Sequence, residues 1–445
     1  MTTLVFGLLL AGMVAALAME ERIHAKKSVI ASGFAVVALL LGQAMGILPG
    51  SDVVVGGHHI HIPVYIPPVD WEVIAIVLGT GIFVEVTAKS GLYNFIALRV
   101  TRASRGDPRR LLWLYGVMTV LFSAVLNNVT AMVIVGSLTV VSLEKLQRRD
   151  MLLGFLLVEG LLTNVGGLLT LISSIPNIIV GAAAGIGFVP FFLKAAPYVV
   201  VATVVTIMMG GRRFGIKALA PNDRDRAAEQ VNAFQPDDAI VNPALFRIGG
   251  VALALLVLVF SFASAIPVVR DLGLGFVALA FGAAMLWAEK ATADRVYSGL
   301  DWDLLAFFAS LFVVIGVAEH AGVLDALAGG IATVLGWGEK VGTATLLVAG
   351  AGASSVTDNV PLAAVLARVL GNQASPVAEG SWWAVVFGAN LGGNLTPIGS
   401  ASTLVAVTIA HRHGVKLGFV RFFTLAWRFA AVQLALAALY LTLLP

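Results

Sequence analysis

The sequence predicts an all-α polytopic membrane protein: about ten transmembrane helices, two re-entrant hairpins and two broken helices in an inverted repeat. Three observations predict it. Hydrophobic residues make up 59% of the 445 residues and charged residues 12%, about half the charge of a soluble domain. Apolar runs of about 20 residues, enough to cross a bilayer, recur along the chain. The same polar interruptions also occur twice. SAVLNNVT (123–130) aligns with SSVTDNVP (354–361) at an offset of 231, which also pairs Asp70-Trp71 with Asp301-Trp302 and Gly91 with Gly322. Further on the offset becomes 226, and TNVGGLLTLISS (163–174) lies over the matching part of GANLGGNLTPIGS (388–400). Duplicated Gly/Asn/Ser/Thr-rich breaks inside apolar segments point to the substrate site of a secondary transporter.

Spans are expected near 2–19, 28–48, 71–90, 151–188 (broken), 190–210, 245–267, 272–288, 302–320, 382–410 (broken) and 422–444. The first has no basic n-region and no small-residue cleavage site, so it reads as a retained span rather than a signal peptide. Basic residues orient the rest. Arg22, Lys26 and Lys27 follow the first span, and Arg99, Arg102, Arg105, Arg109 and Arg110 the third. Lys145, Arg148 and Arg149, then Arg212, Arg213 and Lys217, then Lys290 and Arg295, then Arg412, Lys416 and Arg421 mark further cytoplasmic turns. The loop 51–70 has no Lys or Arg and is placed outside. Ten crossings with both termini outside satisfy all these flanks, in the inner membrane of a prokaryote.

Two segments do not fit as crossings. The run 111–143 lies between two basic clusters, and its arms around Asn127-Asn128 are about 15 residues each, short for a bilayer core of about 30 Å at 1.5 Å per residue. It is expected to be a hairpin entering from the cytoplasm, with its elbow at mid-depth against protein or a wet cavity. The run 342–371 repeats the design with Thr357-Asp358-Asn359 at the elbow, entering from outside. The chain then divides into scaffold spans 1–69, repeat one 70–210, a Pro- and charge-rich cytoplasmic linker 211–244, scaffold spans 245–300 and repeat two 301–445. Segments 92–105 and 323–336, following Gly91 and Gly322, are expected as amphipathic helices along the interfaces.

Asp358 is the leading proton carrier, because a carboxylate at that depth costs several kcal/mol unless paired, hydrated or protonated. Capping the second hairpin helix is its alternative role, and the two can coexist. Asn127 holds the matching place in repeat one and cannot titrate. Asn128 and Asn359 follow it in the two copies. Asn164 and Asn390 precede the glycine pairs Gly166-Gly167 and Gly392-Gly393, which let the backbone bend and approach closely. Thr130, Thr170, Ser173, Ser174, Asn177, Asn394, Thr396, Ser400 and Ser402 add hydroxyl and amide groups, although a lone Ser or Thr in a membrane helix usually bonds its own backbone. Glu159, inside a broken span, is either a second proton site or the partner of a basic residue near the cytoplasmic surface. Glu85 is expected to snorkel or pair, and Glu319 and His320 to lie at an interface. His58, His59 and His61 could ligate a metal, but in a Gly/Pro loop they read more readily as solvent-exposed. With no Cys there is no disulfide or thiolate site. No Walker motif, Rossmann fingerprint or nucleophile elbow is present, so an ATPase, a hydrolase or other enzyme is not indicated; nor is a cofactor or a nucleic-acid partner.

GANLGGNLTPIGS (388–400), DNVPLAAVL (358–366), LNNVT (126–130) and NVGGLLTLISSIPN (164–177) resemble the ion transporter superfamily. The likeness is to the arsenical-pump membrane permeases and their relatives, the NhaD-type sodium/proton antiporters and P-protein-like permeases. It covers the chain from about residue 28 onward. The resemblance implies inverted repeats, two re-entrant hairpins, two unwound helices, a homodimer through the scaffold and a cytoplasmic ATPase as partner. The Asp-Asn-Val-Pro elbow is closer to the NhaD and P-protein branches, and repeat one has Leu171 and Ile175-Pro176 where many relatives have Thr-Pro and Pro-Pro-Asn.

Three substrate classes compete. A proton-coupled arsenite or antimonite exporter moves a small neutral hydroxide, needing hydroxyl and amide partners and one titratable group. The absence of Cys avoids trapping As(III) on thiolates. A sodium/proton antiporter is expected to place two or more carboxylates around the cation, and only Asp358 is central. A di- or tricarboxylate carrier would aim half-helix N-termini at its anion, against the charge of Asp358. The order of preference is metalloid, sodium, carboxylate.

Overall fold

The computed structural model describes residues 1–48, 52–55, 58–263, 265–290, 293–357, 359–373 and 377–443. The chain opens with α1 (Thr2–Ala18), a single turn α2 (Glu20–Ile23) and α3 (Lys27–Ala44). The first repeat holds α4 (Trp71–Lys89), α5 (Leu92–Ala103), α6 (Pro108–Val125), α7 (Asn128–Lys145), α8 (Leu152–Gly166), α9 (Ile175–Ala184) and α10 (Phe188–Arg213). Between the repeats run α11 (Arg224–Asn232), α12 (Pro243–Ser261), α13 (Pro267–Ala288) and α14 (Ala293–Gly299). The second repeat holds α15 (Trp302–His320), α16 (Val323–Leu335), α17 (Glu339–Ser354), α18 (Asn359–Gly371), α19 (Glu379–Gly392), α20 (Ala401–Arg412) and α21 (Phe419–Leu443). The protein is thus an all-α polytopic membrane protein with two interrupted helices. Among the described residues, eight helices are long and apolar enough to cross a membrane. Seven coincide with expected spans; α1, at 17 residues, falls just short in length.

Packing repeats with the sequence. α6 and α7 pack on each other and on α8, as α17 and α18 do on each other and on α19. α7 packs on α20 while α18 packs on α9, and α10 meets α21. Each repeat also receives the spans that precede the other: α13 lies along α4, and α3 along α15. Local capping follows the pairing. Asp70 caps α4 by accepting from Glu72 and Val73 N–H groups, and Asp301 caps α15 through Leu304 N–H. Such caps contribute about 0.5–2 kcal/mol each. Gly91 (φ 89°) and Gly322 (φ 73°) turn the chain into α5 and α16 through left-handed backbone that side chains rarely adopt.

The first hairpin differs from expectation in length. Its arms are 18 residues each, because Asp107 caps α6 with Pro108 at its first turn and α7 continues to Lys145. α7 alone is long and apolar enough to cross. It nevertheless runs beside the 15-residue half-helix α8, from which it is separated by one short turn, and its elbow meets the end of α8 at the break. An arm that ends where a crossing helix is interrupted goes no deeper than that interruption.

Three local features were not legible beforehand. The loop before α4 carries a two-stranded antiparallel hairpin, Asp52–Val55 with His58–His61, pairing Asp52 with His61 and Val55 with His58. α13 is kinked at Gly273 (φ 81°, ψ 170°), where Glu72 Oε1 accepts from Leu274 N–H at 3.0 Å. The linker docks on repeat one: Leu219 N–H donates to Asp107 Oδ2 at 2.9 Å, Val241 N–H to Ser90 O at 3.1 Å, and Lys145 Nζ lies 3.7 Å from the Phe234 ring centre.

Candidate substrate site

The two hairpin elbows are fastened to the two helix breaks by matching bonds. Ser123 Oγ donates to Thr163 O at 2.6 Å, and its mate Ser354 donates to Ala389 O at 2.6 Å. Thr170 Oγ1 donates to Ala124 O, and its mate Thr396 donates to Ser355 O. A Cβ on Gly166 would lie 2.7 Å from Val120 Cα, and one on Gly392 would overlap the Ala351 carbonyl. Here glycine is required because backbone meets backbone. Both offsets seen in the sequence, 231 for the hairpins and 226 for the breaks, are therefore reproduced by contacts.

These contacts bring four half-helix N-termini to one cavity of about 990 Å³. The starts of α7 (Asn128, Val129, Thr130), α9 (Ser174, Ile175, Pro176), α18 (Asn359, Val360) and α20 (Ser400, Ala401, Ser402) all line it. Asn127 caps α7, its Oδ1 accepting from Thr130 N–H at 2.8 Å. Among the described residues the polar side chains here are amides and hydroxyls: Asn127, Asn128, Thr130, Ser173, Ser174, Asn359, Ser400 and Ser402. Charged side chains gather at the other end, where Glu20, Lys26, Lys27, Glu85, Asp301 and Asp303 surround the mouth with His24. Asp303 Oδ1 ties that rim to α3 by accepting from the Ser28 hydroxyl. Glu85 pairs with Lys89 at 3.2 Å.

Of the residues singled out from sequence, Asn127, Asn128, Thr130, Asn359 and Ser400 line the cavity. Asn164, Thr170, Asn390, Asn394 and Thr396 are buried beside it and bonded within the protein. Asn164 Oδ1 faces Ser400 Oγ at 2.9 Å, Ser402 Oγ at 3.3 Å and Asn128 Nδ2 at 3.4 Å, and its Nδ2 donates to Asn394 Oδ1 at 2.8 Å. Asn390 accepts from Ser174 Oγ at 2.7 Å and donates to Asn177 Oδ1 and Val386 O. Gly167 and Gly393 stand at the ends of α8 and α19; a Cβ on the first would press on the Asn128 amide, and one on the second on Ser400.

Asp358 lies outside the described residues. Glu159 is fully buried, its Oε1 accepting from Thr139 Oγ1 at 2.6 Å and its Oε2 without a hydrogen-bond partner among the described residues. The expected pairing of Glu159 with a basic residue is not found among them. At the opposite end from the cavity mouth, Glu319 pairs with Arg368 at 3.6 Å and accepts from Asn372 Nδ2 at 3.0 Å. His320 Nδ1 lies 2.7 Å from Gly316 O. The side chains of His58 and His59 lie outside the described residues, and His61 is exposed. Among the described residues no group of three or more His, Cys, Asp or Glu is placed to hold a metal ion.

Two contributors were missed from sequence. Gln433 of α21 accepts from Asn394 Nδ2 at 2.8 Å and donates to Thr206 Oγ1 at 2.9 Å, extending the amide chain from the break to α10. A lone Gln inside a 25-residue apolar helix was the available signal. Thr139, the partner of Glu159, carries none, since a helical Thr ordinarily bonds its own backbone.

The family model described as citrate transporter (CitMHS) matches residues 14–388. An uncharacterized transporter of Mycobacterium tuberculosis is 35% identical, over 84% of this chain and 86% of its own length. An arsenical pump membrane protein of Escherichia coli is 27% identical, over 84% and 85%. The fold is similar to that of the YdaH transporter of Alcanivorax borkumensis, with a TM-score of 0.62 at 14% identity over 94% of this chain and 98% of that one. It is also similar to that of Neisseria gonorrhoeae MtrF, described among antimetabolite efflux pumps, with a TM-score of 0.59 at 14% identity over 94% and 95%.

Proposed function

The chain belongs to the citrate transporter (CitMHS) family, and from that premise we propose that it is a proton-coupled efflux permease for arsenite or antimonite. It is a secondary active membrane transporter of the superfamily that includes the arsenical-pump permeases. The observation that carries the substrate reading is the chemistry of the cavity floor. Among the described residues its polar side chains are neutral amides and hydroxyls, with charge gathered at the mouth; Asp358, next to Asn359 in the chain, lies outside them. As(OH)₃ and Sb(OH)₃ need hydrogen-bond partners and no counter-charge, and burying such a solute avoids the penalty of desolvating an ion. The 27% identical arsenical pump protein supports the same substrate.

Direct contact is assigned to Asn127, Asn128, Thr130, Asn359 and Ser400. Asn164, Thr170, Asn390, Asn394 and Thr396 hold the breaks in shape, and Gly166, Gly167, Gly392 and Gly393 permit the close approach. Proton coupling is assigned first to Asp358, from its place in the second elbow of the sequence, and second to Glu159, buried with no basic partner among the described residues; a carboxyl inside a membrane segment is the pattern of a group that exchanges protons. Lys26, Lys27, Lys290 and Arg295 flank the mouth end in sequence, so the basic-residue bias puts the opening on the cytoplasmic side. An exporter would load from there.

A second reading, a small-carboxylate carrier, is favoured by one observation: four half-helix N-termini, each with a partial positive charge, converge on the cavity. The family description supports it as well. Sodium/proton antiport ranks third, because those same positive ends oppose a cation. Inverted vesicles containing the protein, given arsenite, citrate or sodium in turn under an imposed proton gradient, separate the three. Uptake of citrate without response to arsenite or antimonite would move the assignment to the carboxylate reading.

A further inference from the structure

We propose that Asn164 and Asn390 set the hydrogen-bond polarity of the cavity floor. By taking the hydroxyl protons of Ser400 and Ser174 they leave two symmetry-related oxygens facing the solute as acceptors, which selects an undissociated oxoacid over its conjugate anion. The location of the solute is taken from the transport assignment above; the polarity follows from the bonds alone.

Each amide is oriented by a group that can only accept. Asn390 turns Nδ2 to the backbone carbonyl of Val386 at 2.8 Å and to Asn177 Oδ1 at 2.9 Å, so its Oδ1 faces Ser174 Oγ at 2.7 Å. Asn394 turns Nδ2 to the backbone carbonyl of Leu161 at 3.1 Å and to Gln433 Oε1 at 2.8 Å. Its Oδ1 therefore accepts from Asn164 Nδ2 at 2.8 Å, and Asn164 Oδ1 faces Ser400 Oγ at 2.9 Å. Flipping either anchor would set oxygen against a carbonyl oxygen.

A serine hydroxyl has one proton and two lone pairs. Ser400 Oγ also lies 2.9 Å from Ser402 Oγ, and either can donate. Whether Ser400 gives its proton to Asn164 or to Ser402, which itself reaches Asn164 Oδ1 at 3.3 Å, that proton, like that of Ser174, is committed inward and only lone pairs remain for the solute. Ser173 behaves alike, its proton facing Gly167 O and Thr170 O, both at 2.7 Å. Ser174 and Ser400 are also the N-caps of α9 and α20, yet neither side chain caps its helix. Ile175 N–H of α9 and the Ala401, Ser402 and Thr403 N–H groups of α20 follow these serines in the chain, at helix starts that leave N–H groups without an intrahelical partner; Pro176 has no N–H, and Asn177 N–H donates to Ser174 O at 3.0 Å. A solute seated there meets donors and acceptors side by side. An undissociated oxoacid answers both, through its oxygens and its O–H protons. Its anion satisfies the N–H groups but sets negative charge against the serine lone pairs.

The chain has no cysteine, so a single cysteine at Ile172, which lines the cavity, reports occupancy through its rate of maleimide labelling in vesicles holding the full chain. Boric acid and nitrate serve as probes of one trigonal shape: the first is neutral and donates, the second is an anion that only accepts. Boric acid is expected to slow labelling, and nitrate at the same concentration to leave it unchanged. Asn390→Ala releases the Ser174 proton and is expected to weaken boric acid protection about five- to tenfold while nitrate protection appears. Ser174→Ala is expected to weaken boric acid similarly with no gain for nitrate, and it decides alone if Asn390→Ala does not fold. Equal protection by both probes, protection by neither, or unchanged boric acid protection in Ser174→Ala overturns the inference. An unchanged probe ratio in folded Asn390→Ala also overturns it. Arsenite transport does not enter this readout. A chain that protects as expected yet moves no arsenite refutes the transport assignment and leaves the polarity inference standing.

Discussion

Ser174 and Asn390 are 216 residues apart in sequence and joined by a 2.7 Å hydrogen bond. Their repeat mates, Ser400 and Asn164, form the same bond at 2.9 Å in the opposite direction along the chain. The serine that starts the second half of each broken helix is thus held by the asparagine that ends the first half of the other. The two repeats interlock at their breaks, and both contribute residues to the cavity lining.

Loss of the amide chain should be felt as stability. Asn394→Ala removes bonds to Asn164, Leu161 O and Gln433 in a fully buried position. It is expected to destabilise the protein by about 2–3 kcal/mol, since buried groups left unpaired cost about 1–3 kcal/mol each. Thermal unfolding in detergent measures this; a melting temperature equal to that of the parent would show the chain of amides to be dispensable.

The repeat contacts predict which glycines are irreplaceable. Gly392→Ala forces a methyl group onto the Ala351 backbone and Gly166→Ala one onto Val120 Cα, with no flexible side chain to yield. Each is expected to cost about 1–3 kcal/mol. Gly352→Ala, in α17 with nothing within 4 Å, is expected to be neutral or stabilising by up to about 1 kcal/mol. Equal folded yields for all three substitutions would contradict the close approach.

Much of this architecture was legible because polar breaks stand out in apolar helices. Asn127-Asn128, Gly166-Gly167 and Gly392-Gly393 marked the elbows and breaks, and the two offsets paired them. The facing of each side chain was not legible. In segments apolar on every side no periodicity says which way Asn390 or Asn394 points, and both turn away from the cavity into the protein. Ser400 and Ser402 of the same break line it instead. The rim of Glu20, Lys26, Asp301 and Asp303 was also hidden, because it joins loops almost 300 residues apart. The linker's docking on Asp107 depends on a backbone N–H, which no side-chain pattern reveals.

Charged lining residues gather at one end of the cavity, and labelling is expected to be one-sided. A single cysteine at Asn127 is expected to react from the Lys26–Lys27 face in this conformation, and one at position 358 to become reachable from the other face in at least one state. Labels showing that 111–143 and 342–371 both cross the full bilayer would refute the hairpins.

The two carboxyl groups should separate in function. Asp358→Asn is expected to keep the fold, as Asn127 holds the matching place, and to abolish uphill transport while leaving downhill exchange. Glu159→Gln keeps the bond with Thr139 and is expected to slow export by only about threefold. Uphill transport by Asp358→Asn matching the parent across pH would make Glu159 the carrier.

The most direct test is proton flux in inverted vesicles containing only this protein. Addition of arsenite or antimonite in sodium-free buffer is expected to drive proton movement, lost in Asp358→Asn and insensitive to added sodium. Sodium- or citrate-driven proton flux, with no response to arsenite or antimonite, would contradict the account.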